Sequence, residues 1–187
     1  SLQIELHTDA SNLASTVSFS IPLYDGEQHL WRQGMDSAGE IDVAVIELDQ
    51  AALPHDGAYH AFTPQHLLQP DEDVEIGSTL LVVGFPLGFQ DSLHRMPVAR
   101  HAGLASSFGL RFQGLGYFLT DGRTHRGISG APVVKRAELD SELPWRLLGI
   151  HSTRLLGNRD EDQDEALGLN CTWYADILLT LTESPAP

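Results

Sequence analysis

Residues 124–136 read THRGISGAPVVKR, and the fold turns on what surrounds Ser129. Gly127 and Gly130 bracket that serine with only Ile128 intervening, and Ala131-Pro132 lead into the apolar pair Val133-Val134. A plain turn needs one such residue, or two. Gly127 has no Cβ, so its N–H can point into the same space as the N–H of Ser129. Gly130 leaves the side opposite the hydroxyl open. The spacing suits a nucleophile that needs room and nearby backbone donors. A glycine-rich loop of purely structural origin would carry the same letters, so the rest of the chain has to decide.

Working outward, the pattern is short strands divided by turn signals. Residues 2–7 and 16–21 alternate apolar and polar side chains, the second closing on Pro22 and Asp25-Gly26. Residues 29–32 are expected as a return arm. DVAVIEL at 42–48 alternates again, and TLLVVGF at 79–85 is a continuous apolar run that suits a buried barrel strand. Residues 97–106, 116–119, 131–134 and 145–152 complete a second set. Residues 171–181 look helical, because Trp173, Ile177 and Leu181 fall at i, i+4 and i+8. Many short strands with one terminal helix predict an all-β barrel or sandwich. The proline-bearing segment 53–73 reads as a connector between an N-terminal part, 1–52, and a C-terminal part, 74–187.

Composition narrows the partners. The chain has 187 residues and a formal net charge of -15, which argues against nucleic acid and against an anionic membrane surface. No apolar run approaches the ~20 residues of a bilayer span. Cys171 is the only cysteine, so no internal disulfide and no Cys-based zinc site is expected, and a reducing compartment such as the cytoplasm is favoured. Asp71-Glu72-Asp73 and the run from Asp160 to Glu165 read as solvated faces. The latter lacks the glycine and distal glutamate of a calcium loop. No metal or organic cofactor is implied. Oligomeric state stays open.

Three segments, in order, carry a resemblance to the trypsin-like (chymotrypsin-fold) serine peptidases, in particular their bacterial V8-like and HtrA-like branch. Asp42-Val43-Ala44-Val45 is similar to the family's D-hydrophobic-A-hydrophobic segment. Gly84-Phe85-Pro86-Leu87-Gly88 is similar to its GYPxG turn, and Gly127 to Val133 resembles its GNSGGPV. Trp173-Tyr174-Ala175-Asp176-Ile177 is similar to its closing helix. The resemblance implies two β-barrels with a C-terminal helix and a peptide or protein substrate cleaved through an acyl-enzyme. It implies Ser129 as nucleophile, Asp42 as the acid that orients the base, and the N–H groups of Gly127 and Ser129 as the oxyanion hole. It further implies substrate binding by Thr124 and His151, which match the positions that hold a glutamate side chain in the V8-like branch. A histidine in that strand also occurs in members that read glutamine, so Glu or Gln is the expected residue before the cleaved bond. Arg123 and Arg126 are expected at the surface.

The chain departs from the family pattern twice. Ile128 stands where the family has Asp or Asn, so pairing with a freshly cut N-terminus is not expected, and the turn around Gly127 should be less firmly held. The catalytic histidine is also missing from its place several dozen residues before Asp42. His29 is too near Asp42, and His7 lies in a strand like the one that follows that histidine. His55 and His60 come after Asp42. The base is therefore expected upstream of Ser1, leaving the first barrel incomplete and these 187 residues inactive. A non-catalytic peptidase-like binding module and a β scaffold with a coincidental GxSGxP turn remain as alternatives.

Overall fold

The computed structural model describes residues 1–55, 57–137, 143–156 and 166–183. The acidic run Asp160–Glu165 and the prolines Pro185 and Pro187 lie outside the described residues. In the N-terminal part, β1 (Leu2–His7) pairs antiparallel with β2 (Thr16–Ile21). A short hairpin follows, β3 (Tyr24–Asp25) with β4 (Gln28–His29), turning at Gly26 where φ is 59°. Then β5 (Trp31–Asp36) pairs with β6 (Gly39–Ile46). These are three separate two-stranded ribbons among the described residues.

Six further strands make one antiparallel sheet. They are β7 (Thr79–Gly84), β8 (Val98–Gly103), β9 (Tyr117–Thr120), β10 (Pro132–Arg136), β11 (Trp145–Leu156) and β12 (Ala166–Tyr174), in the order β8-β7-β10-β11-β12-β9. The sheet curls until its edges meet. Leu104, just past β8, bridges Thr120 of β9. The Ala105 N–H donates to Leu119 O at 2.8 Å and the Asp121 N–H to Gly103 O at 3.2 Å. Closure leaves no unpaired edge at this seam. Leu80, Val82, Ala102, Leu104, Phe118, Val133 and Leu148 fill the interior. Burying each of the larger ones contributes about 1.5–3 kcal/mol.

Strand alternation decides which β6 side chains face the core. Ile41 and Val43 are buried against Trp173 and Leu181, so Asp42 between them points the other way. The only α-helix among the described residues, α1 (Ile177–Thr182), presses Leu181 onto that cluster. The predicted helix over 171–181 is therefore half right. Cys171 to Tyr174 finish β12, with Cys171 opposite Leu119 and Trp173 opposite Tyr117. The i, i+4 spacing was supplied by a strand end and a helix that both turn toward one apolar cluster. The described residues of 53–73 contain one 3-10 turn, Pro64–His66, and no strand. Within them Glu72, half-buried, pairs with Arg146 at 2.7 Å and accepts the Gln69 N–H, which holds its carboxyl below the usual range against the cost of burial.

Candidate active site

The turn carrying Ser129 is fixed from both sides. On one side it is stitched to β11. The Gly130 N–H donates to His151 O at 2.8 Å and the His151 N–H to Ala131 O at 2.9 Å. On the other side, the Leu87 N–H donates to Arg126 O at 2.6 Å. Gly127 and Gly130 have φ of 84° and 85°, a region that L side chains adopt at a cost. At Gly127 a side chain would also be crowded by backbone. A Cβ there would lie 3.2 Å from Phe85 O and 3.3 Å from Leu87 N. The N–H groups of Gly127 and Ser129 have no acceptor among the described residues.

Ile128 anchors the turn. Its side chain is 1% exposed and packs beside Gly84 and Ala131 in the barrel interior. The loosening expected from this departure is not what the structure shows: apolar packing holds the turn where an ion pair or hydrogen bond would otherwise do so.

Asp42 and Ser129 line one cavity of about 450 Å³, together with Ala44, Gly130, His151 and Ser152. Ser152 ties them. Its Oγ donates to Asp42 Oδ2 at 2.5 Å, while its carbonyl oxygen accepts the Ser129 Oγ–H at 2.8 Å. Ser152 was not singled out from the sequence as a site residue. Its position directly after His151 in a strand that follows the serine turn was the available signal.

His151 is 2% exposed, and its Nδ1 has no partner among the described residues. Burial pushes its pKa down to about 4, so the ring is neutral at ordinary pH. Thr124 is buried elsewhere. Its hydroxyl donates to Asn170 Oδ1 at 2.5 Å, and Asn170 Nδ2 donates to Gly122 O at 2.7 Å and Thr120 O at 3.1 Å. Thr124 lines a separate cavity of about 250 Å³ with Arg123, His125 and Arg154. The structure thus brings Ser129, Asp42 and His151 to one cavity and sets Thr124 at another.

Among the described residues, no histidine other than His151 lines the Ser129 cavity. His7 Nδ1 lies 2.9 Å from Leu13 O, closing the β1–β2 ribbon. His29 stacks on Trp31 with ring centroids 4.6 Å apart. His55 and His60 are exposed, in the segment after β6.

The family model of the trypsin-like peptidase domain matches residues 8–150. The chain belongs to the trypsin-like peptidase family. The match spans Asp42, Ser129 and the Gly84–Gly88 turn. The all-β sheet with its short C-terminal helix is the chymotrypsin type of fold. Among solved structures the chain is similar to an inactive form of Rv3671c from M. tuberculosis H37Rv that carries a serine-to-alanine substitution. The identity is 15% and the TM-score 0.38, covering 64% of this chain and 56% of that one. The chain therefore spans little more than half the length of that structure. A search of the curated proteins returns no match.

Proposed function

We propose that the chain is the peptidase portion of a serine endopeptidase in which Ser129 attacks the scissile carbonyl and Asp42 orients the base. The observation that carries this reading is the shared cavity, with Ser152 joining the Asp42 carboxylate to the Ser129 hydroxyl. The unengaged N–H groups of Gly127 and Ser129 form the oxyanion hole, where fixed donors stabilise charge as it develops. The base is a histidine from outside residues 1–187. His151 does not serve, because a buried imidazole with its pKa near 4 is a poor proton acceptor at neutral pH. By themselves these residues act as a peptidase-like binding module. That second reading is favoured by the same cavity, which no histidine but His151 lines among the described residues.

His151 also sets the proposed preference for Glu or Gln before the cleaved bond. A neutral imidazole N–H donates to a side-chain oxygen, and without positive charge it suits an amide as well as a carboxyl group. For Thr124 to contribute, its hydroxyl must exchange Asn170 for the substrate. A peptide library digested by the full-length gene product should be cut after Glu or Gln. A profile dominated by Lys, Arg or large aromatics would remove this assignment.

A further inference from the structure

Beside the serine turn lies a second cavity, of about 510 Å³, whose lining shares no residue with the Asp42 cavity. Its lining includes Leu87, Phe89, Arg100, His101, Arg123 and His125, and no carboxylate. That is notable in a chain with 26 acidic residues and 11 lysines and arginines. Arg100 and Arg123 have no ion-pair partner among the described residues. Arg100 sits in β8 opposite Val82, and Arg123 precedes the serine turn, so two separate segments bring positive charge to one place.

The apolar half of the cavity is also unusual. Between residues 85 and 96, Leu87 is 71% exposed, Phe89 67% and Leu93 64%, with Phe85 and Met96 partly uncovered. Scattered exposed leucines are ordinary, but several on one short segment mark a contact surface. Leu87 is held at φ 56° in the Pro86–Gly88 turn, which is costly for a non-glycine residue and thrusts its side chain outward. The same residue's N–H is bonded to Arg126 O, so the groove abuts the oxyanion loop.

We propose that this groove is an exosite for an acidic peptide segment of the substrate, in which carboxylate side chains alternate with apolar ones. Carboxylates meet Arg100 and Arg123, and the apolar side chains cover Leu87 and Phe89. Charge complementarity selects this occupant: on a strongly anionic chain, two arginines without an ion-pair partner among the described residues attract an acidic segment. The exosite deepens the peptidase reading, since its ligand is a stretch of the same substrate outside the residue that His151 reads.

Binding can be tested without catalysis. A fluorescein-labelled octapeptide alternating glutamate with leucine is titrated by anisotropy into the full-length gene product carrying Ser129→Ala. It should bind, with affinity that weakens as salt rises. Arg100→Glu/Arg123→Glu should weaken binding by about tenfold or more, and Phe89→Ser, an exposed change that leaves the charges intact, should weaken it independently. An octapeptide alternating lysine with leucine should fail to bind. Equal binding of the lysine peptide, equal binding of a thymidine oligonucleotide, or affinity unchanged in both variants would overturn the proposal. Because the readout needs no nucleophile, a failure of the peptidase reading appears separately, as a parent protein whose intact Ser129 does not react with a serine-directed fluorophosphonate.

Discussion

Asp42→Asn in the full-length gene product is expected to leave the fold intact and to lower peptide hydrolysis by about four orders of magnitude. Alternation in β6 sets the position of this carboxylate. Ile41 and Val43 anchor the strand in the core, while Asp42 faces the cavity, exposed, and contributes little to packing. Its carboxylate accepts the Ser152 hydroxyl through Oδ2 and keeps acceptor capacity for a second donor. An imidazole held there presents its other nitrogen to the Ser129 hydroxyl. An asparagine amide offers an N–H where a lone pair is needed, which favours the wrong tautomer of the base. Steady-state kinetics beside a thermal melt check this. A variant within tenfold of the parent, with an unchanged melt, would remove Asp42 from the mechanism.

Ile128→Asp is expected to be the more damaging change to stability, although it restores a residue type the family carries there. Removing the buried aliphatic side chain costs about 2–5 kcal/mol. A carboxylate in the same place adds several kcal/mol more, because it would sit among Val82, Ala131, Val133 and Phe118 with no cation. The sum is comparable with the whole stability of an ordinary domain, so the variant should fail to fold or melt far below the parent. Ile128→Val, which keeps the packing, should cost only about 0.5–1.5 kcal/mol. Thermal denaturation of both variants checks the ranking, and a stable Asp variant would mean that position 128 is not the anchor described.

The serine turn was legible because its glycines are backbone requirements: positive φ at two positions, and a close backbone approach at Gly127. The strands over 2–7, 16–21 and 79–84 were legible because their apolar runs or alternation follow the side that is buried. β12 was hidden. Leu169, Cys171 and Trp173 do alternate with Asn170 and Thr172, but both faces are buried, and the i, i+4 spacing of Trp173, Ile177 and Leu181 masks the strand. The setting of Thr124 was hidden for another reason. Its hydroxyl is bonded to Asn170, far along the chain, and nothing local to THRGIS announces that partner. Ile128 looked like a defect because its packing partner, Gly84, lies on a distant strand.

The central claim is that Ser129 is an activated nucleophile whose base lies outside these residues. A serine-directed fluorophosphonate, with the adduct mapped by peptide mass spectrometry, tests it most directly. The full-length gene product should be labelled at Ser129, and the 187-residue form should remain essentially unlabelled. Equal labelling of both forms, or a full-length protein whose Ser129 stays unmodified, would contradict it.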